Sequence, residues 1–407
     1  MENASERAAN RDTASMSHRA RPVPRDRDDD YTEANAEVRR EFAREQTGAG
    51  LAYVAHYSVD PAQLPGNIEN FIGVAQVPIG LAGPLRINGQ HASGDFYIPM
   101  ATTEGTLVAS YNRGMRLLSE AGGVTATVVD DRMQRAPVFV LDNAVQAVEL
   151  GTWVRENQAE IAAAAEGTTR IGRLIEIEQY HVGPLLYLRF DYTTGDAAGQ
   201  NMVGKATLAA CEWIAEHNPT AHRFMLSGGI DTDKKHSAIN VLNTRGKRVV
   251  AEATIPADLL RDMMGVDPAT LFWARQISNA GAFLARSSLN GAHAANGLAA
   301  LFIATGQDVA NIAEAHAGIV YTQLLDNGDY YWSITLPALI VATVGGGTGL
   351  PTQRECLEVL GCYGPGRVRK FAEICAAVVL AGEISLGSAV LAGDWVSSHE
   401  RLGRNRE

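Results

Sequence analysis

Residues 174–191 read LIEIEQYHVGPLLYLRFD, and the fold turns on them. They read as two strands, 174–179 and 185–191. A Val-rich strand at 137–141 and a helix over 144–165, led by Val145 and Val148, precede them. A second helix over 204–216 follows, with Leu208, Cys211 and Ile214 on one face. Strand, helix, strand, strand, helix over about 137–226 is the order of a split βαβ sandwich, a two-layer unit small enough to be inserted into a larger domain.

Outward from this block, the chain predicts helix over 31–48, where Tyr31, Ala34, Val38 and Phe42 form a sparse apolar stripe. Breaks follow at Pro61, Pro65 and Gly66. Residues 85–99 alternate like strands around a turn at Asn88-Gly89. At 101–105 the pattern changes to a helix capped by Thr102 or Thr103, with Leu107, Tyr111, Met115 and Leu118 at helical spacing and an end at Gly122-Gly123. Residues 124–129, 248–255 and 329–336 read as strands. Long Ala-rich helices are expected at about 268–306 and 366–393.

The whole chain has 407 residues, 46% hydrophobic and 20% charged. That suggests two or three domains with ample core. A net charge of −11 argues against nucleic acid or an anionic membrane surface as partner. Four cysteines without a Cys-x-x-Cys pair exclude a disulfide framework and offer no metal site, which fits a reducing cytoplasm. The apolar run from Ile374 meets Glu383 too soon for a membrane span. Residues 1–30 contain no Leu, Ile, Phe or Trp and are expected to be a disordered tail.

Several polar clusters stand out. Ser227 to His236, SGGIDTDKKH, sets two carboxylates beside two ammonium groups and an imidazole. A lysine held among such charges can stabilise an oxyanion; the same composition also suits a solvated turn. Glu104 falls in the first turn of a predicted helix, where acids are common for electrostatic reasons alone. Asp308, after the apolar stretch 298–305, is expected to be partly buried; it is either a tuned acid or a helix cap. The glycines of 344–349, VGGGTG, suit a phosphate cradle or a plain turn, but match neither dinucleotide fingerprint nor P-loop. His399 lies near the C-terminus, where a histidine is either solvated or a proton donor on a mobile flap.

Taken in order, these segments resemble the 3-hydroxy-3-methylglutaryl-CoA (HMG-CoA) reductase family, closest to its class I catalytic domain and of a soluble prokaryotic type. The resemblance runs from about Glu69 to Arg404. Glu69 to Gly73 is similar to the family's ENxIG, and Pro99 to Gly105 reads PMATTEG. Ser227 to Lys235 is similar to SGNxxTDKK, Gly291 to Asn296 to NAHAAN, and Gly306-Gln307-Asp308 and Thr343 to Thr348 read GQD and TVGGGT.

The resemblance implies an α+β architecture: a large domain around a long central helix, with a small ferredoxin-like cofactor domain inserted. It implies a small N-terminal helical region at 31–66, a substrate domain at 67–136 and 227–390, an NADP-binding domain at 137–226 and a flap at 391–407. It implies reduction of HMG-CoA to mevalonate and coenzyme A by two NADPH, in the mevalonate route to isoprenoids, by a cytoplasmic homo-oligomer with shared active sites. Glu104, Lys234, Asp308 and His399 are the implied catalytic groups. Arg135, Ser227, Asp233, Lys235, His293 and Asn296 are implied for substrate. Arg170, Asp196, Gly199, Asn201, Gly345 and Gly346 are implied for NADPH, with Arg170 near the 2′-phosphate. No metal, membrane or nucleic acid is implied. The sequence departs from the family at Ala198-Gly199-Gln200 (for Met-Gly-Met), at Gly229 (for Asn) and at Pro337 to Ala342 (for PSxExG). These departures motivate an alternative substrate, another branched acyl-CoA thioester.

Overall fold

A computed structural model describes residues 21–287 and 289–393. They divide into two compact units, up to Gln76 and from Val77 onward. In the first, helix α1 (Glu33–Thr47) is capped by the hydroxyl of Thr32, which accepts the Asn35 N–H at 3.2 Å. Its buried side is not the expected apolar stripe. Val38 is 50% exposed, whereas Ala36, Arg39 and Arg40 are buried. Two arginines can be buried because each is matched: Arg39 by Asp30 at 3.2 Å, Arg40 by Glu37 at 2.7 Å, by Glu33 and by the Ile72 carbonyl at 3.0 Å. The tail expected through residue 30 gives way earlier, since Asp30 is itself buried.

The second unit starts with a hairpin, β1 (Ile79–Asn88) and β2 (Ser93–Ala101), followed by helix α2 (Leu107–Glu120). Leu107, Tyr111, Met115 and Leu118 are buried, as their spacing predicts. The cap differs from expectation. Thr106, at φ +76°, precedes the helix without a side-chain cap, and Thr102 instead accepts the Glu104 N–H at 3.0 Å.

Strand β3 (Thr125–Arg135) is longer than expected and serves two sheets. Its first part pairs with β8 (Gly246–Ile255), while Met133 to Arg135 pair with β6 (Leu185–Thr193). Between these strands the chain forms β4 (Val138–Val140), α3 (Ala144–Glu156), α4 (Gln158–Glu166), β5 (Arg173–Val182), then β6, α5 (Gln200–His217) and β7 (Phe224–Met225). Beyond β3, the small sheet runs β7-β4-β6-β5, antiparallel throughout. The helix expected over 144–165 breaks at Asn157, whose side-chain amide donates to the Trp153 carbonyl at 2.8 Å. Val145 and Val148 point outward at 66% and 55% exposure; Ala147, Leu150 and Val154 carry the buried face.

The rest of the chain supplies α6 (Ala238–Asn243), α7 (Ala257–Met264), α8 (Pro268–Leu284), α9 (Ala294–Thr305), α10 (Ile312–Ala315), β9 (Ile319–Leu324), β10 (Tyr330–Leu339), α11 (Pro351–Val359) and α12 (Val368–Ala392). The large sheet continues β3-β8-β10-β9. The single helix expected over 268–306 is two, α8 and α9, separated by residues 285–293. All four cysteines are buried, and burial pushes the Cys362 thiol up to about 12, so thiol chemistry is suppressed.

Helix α12 is long and apolar enough to cross a membrane by length and composition, yet most of it is packed inside the fold. Its two buried carboxylates show why it belongs there. Glu373 accepts the His91 and Ala92 N–H groups at 2.8 and 2.7 Å. Glu383 accepts those of Ala292, His293 and Ala294 at 2.8, 2.6 and 3.1 Å. Each acid thus ends a loop on the core helix.

Candidate active site

Hydrogen bonds and one ion pair join the loops at 306–308, 342–347 and 231–236. Gly306 and Gly347 meet backbone to backbone; a Cβ on Gly306 would lie 2.2 Å from the Gly347 carbonyl oxygen, so only glycine fits. Gln307 then stitches the two loops, accepting the Ala342 N–H at 2.7 Å and donating to its carbonyl at 3.0 Å. Asn311 accepts from Gln200 at 3.0 Å. The departure at Gln200 therefore links the start of α5 to the segment after α9.

This framework presents Asp308 to Lys234, Oδ2 to Nζ 2.8 Å. Asp308 is 42% exposed, less sheltered than expected, and also caps the following turn through the Ala310 N–H. The Asp308 hydrogen bond raises the Lys234 ammonium above its ordinary range, outweighing a smaller opposite effect of burial. Ser227 donates to Asp231 at 2.9 Å, and Arg135 Nη1 reaches the same carboxylate oxygen at 2.9 Å. Asp233 accepts from Arg245 at 2.7 Å, and the Lys235 ammonium donates to the Asp233 carbonyl. Glu104 is exposed on the turn after β2, and no hydrogen bond or ion pair reaches its carboxylate among the described residues. His399 lies outside the described residues.

His293 and Asn296 sit together elsewhere, Nδ1 to Nδ2 3.2 Å, at the start of α9. Asp308 follows the other end of this 12-residue helix, which is about 18 Å long. Burial pushes His293 down to about 4, and its Nε2 is buried with no hydrogen-bond partner among the described residues. Its ring lies 4.8 Å from that of Tyr111, whose hydroxyl donates to the His293 carbonyl.

The expected dinucleotide residues form two groups. Gly199, at φ +85°, starts α5 where a Cβ would lie 2.2 Å from Thr194, and no side chain caps that helix. Asn201 is exposed in its first turn and Arg170 is exposed between α4 and β5. Gly345 and Gly346 have φ of +81° and +55°, with open space where side chains would stand. An uncapped helix start and an open glycine turn suit phosphate oxygens. Asp196 is engaged by the protein instead. Its carboxylate accepts the N–H groups of Gly366, Arg367 and Val368 at 2.9, 3.0 and 3.2 Å, holding the start of α12. Asp196→Ala is expected to cost about 1–2 kcal/mol, as loss of a helix cap does, read as a lowered unfolding midpoint. An unchanged midpoint would place the Asp196 contribution elsewhere.

Motif reading passed over Asp231, Arg245 and Glu314, the buried groups behind the charged loop. Asp231 was visible within the SGGIDTDKKH run. Arg245 and Glu314 carry no local signal, because their meaning comes from a long-range contact, Nε to Oε2 3.1 Å.

A buried acid-base framework presenting one lysine–aspartate pair beside glycine-rich loops defines an enzyme of polar group chemistry. Comparison with known proteins narrows this. The family described as hydroxymethylglutaryl-coenzyme A reductase matches residues 35–404. The 3-hydroxy-3-methylglutaryl-coenzyme A reductase of Pyrococcus abyssi is 46% identical over 90% of this chain and 92% of its own. That of Methanocaldococcus jannaschii is 44% identical over 90% and 92%. A class II enzyme from Streptococcus pneumoniae, solved bound to NADPH in open conformations, shares the fold with a TM-score of 0.67 at 21% identity, over 88% of this chain and 97% of that one. The chain belongs to the hydroxymethylglutaryl-coenzyme A reductase family. The structural relative is named class II, so it does not carry the class I likeness expected from the sequence.

Proposed function

We propose that this chain reduces HMG-CoA to mevalonate and free coenzyme A, consuming two NADPH and two protons. The Lys234–Asp308 contact carries the reading: a fixed ammonium group next to a carboxylate, open to solvent on its other side. NADPH supplies two hydrides in succession. Lys234 stabilises the negative charge that develops on the thioester oxygen and again on the aldehyde oxygen. Asp308 holds that ammonium in place and keeps it charged. Glu104 delivers a proton to the reduced carbonyl oxygen. His399 protonates the departing thiolate. Arg135 and Ser227, both bonded to Asp231, bind the hydroxymethylglutaryl group together with Asp233, Lys235, His293 and Asn296.

The small sheet's order supports a ferredoxin-like unit at 137–226 holding the dinucleotide. Gly199 and Asn201 at the start of α5, with Gly345 and Gly346, would cradle phosphates, while Asp196 positions the loop. Arg170 would take the 2′-phosphate. Arg170→Ala is expected to reduce the preference for NADPH over NADH about tenfold or more, read as the ratio of kcat/KM values; an unchanged ratio places that phosphate elsewhere.

The placement of His293 and Asn296 at the opposite end of α9 from Asp308 supports a site shared between copies, and 67–136 with 227–390 would form the one large substrate domain. Trp273, Ile277 and Leu284 on α8 are exposed at 62%, 53% and 84%, an apolar stripe suited to a second chain. A class I type is proposed on the motif resemblance from Glu69 to Arg404 alone. The decisive assay follows NADPH absorbance with HMG-CoA and titrates released thiol. Two NADPH per thiol supports the reading. Turnover only with another branched acyl-CoA thioester would transfer the chemistry to that substrate.

A further inference from the structure

We propose that Glu314 is a positioning residue for this reaction: it fixes the backbone of Lys234 and thereby the aim of the ammonium group. The inference rests on the reductase reading above. Lys234 and Thr232 hold φ of +55° and +49°, left-handed conformations that side chains other than glycine adopt only when their surroundings enforce them. The enforcement comes from α10 and the loop before it. Glu314 Oε1 accepts the Lys234 N–H at 3.3 Å. Its Oε2 accepts from Arg245 Nε at 3.1 Å and Asn240 Nδ2 at 3.4 Å. Arg245 also donates to Asp233 and to the Gln134 carbonyl, and Asn240 accepts from the Thr232 hydroxyl at 2.7 Å.

One short segment, 308–314, therefore grips Lys234 at both ends. Asp308 takes the ammonium group and Glu314 takes the amide. Glu314 and Arg245 are 1% and 0% exposed, so the amide end is anchored in the interior while the ammonium stays accessible. The charged groups acting on this anchor are Arg245 and Asp233; His236 and His316, whose rings lie 6.0 Å apart, follow Lys234 and Glu314 by two residues each. Burial, reinforced by Asp233, pushes Glu314 up to about 7, with Arg245 opposing. The anchor is then fully ionised only above neutral pH. Protonation as pH falls leaves one fewer acceptor site for the Lys234 N–H, Arg245 and Asn240.

The test uses the full chain, HMG-CoA and NADPH, with Glu314→Gln and Glu314→Ala. Glu314→Gln keeps the shape and loses the charge. It is expected to lower kcat about tenfold at pH 8, leave KM for both substrates within twofold, and lack the acid limb near neutrality that is expected of the wild type. Amide exchange across 231–236, followed by mass spectrometry, is expected to quicken at least tenfold in Glu314→Ala. Should that variant not fold, the kinetics and exchange of Glu314→Gln decide. Wild-type kcat, pH profile and exchange in Glu314→Gln overturn the proposal, as does a tenfold loss matched by an equal rise in KM. Absence of HMG-CoA turnover by the wild type overturns the reductase reading instead, and the exchange measurement still reports whether Glu314 anchors the loop.

Discussion

Replacing Lys234 by alanine is expected to lower kcat for HMG-CoA reduction at least 100-fold, with KM changed by less than about threefold. Removing one preorganised donor from a developing oxyanion costs about 100- to 1,000-fold in kcat. Here the same ammonium serves two successive reductions, so the loss falls on both. Asp308 holds the group at 2.8 Å and raises it above its ordinary range, so it remains charged across the working pH. Lys234→Arg keeps the charge but replaces a compact point donor with a planar fork, and is expected to recover less than a tenth of wild-type activity. A steady-state assay at saturating NADPH checks both. An alanine variant retaining more than a tenth of wild-type kcat would remove Lys234 from the chemistry.

Gly114→Val is expected to destabilise the second unit by about 3 kcal/mol or more, at or above the upper end of the usual cost of overpacking. Helices α2 and α12 cross so closely at this point that a Cβ on Gly114 would lie 1.9 Å from the Ala381 carbonyl oxygen, and neither helix backbone can yield locally. The contact recurs around Tyr111, whose ring fills space that a Cβ on Gly297 of α9 or Gly382 of α12 would occupy at 2.4 Å. Three helices are thus registered on one tyrosine. A drop in unfolding midpoint on the order of 10 °C is the expected readout. A shift under 2 °C would mean that the helices separate without cost.

These positions illustrate what the chain discloses without coordinates. The spacing of Leu107, Tyr111, Met115 and Leu118 announces α2 because burial on one side repeats with the helical period. The apolar length of α12 is equally plain. The split between α8 and α9 is not, because alanine-rich sequence on both sides favours helix and the break depends on Glu383, about 90 residues away, accepting the loop's amides. On α1 the period misleads, since buried arginines take the place of apolar residues once Asp30, Glu33 and Glu37 neutralise them. Candidate site residues were legible where short motifs hold them. Asp308 and Lys234 do meet, but Glu314 and Arg245 act through contacts between segments that no local pattern links. Asp196 shows the converse: a motif residue whose carboxylate is occupied by the core helix.

Strand β3 bears on how this protein can be rebuilt. Domain exchange between relatives treats an inserted block as a cassette, cut where the chain enters and leaves it. Here a cut at residue 137 would sever the block from Met133, Gln134 and Arg135, which pair with Tyr192, Asp191 and Phe190. The graft would import a sheet lacking one of its rungs. The donor's own β3 would have to travel with it, and that strand is already paired with β8 on the recipient's side. The modular unit is therefore larger than the insertion, and chimaeras should be joined before Thr125, in the turn that follows α2.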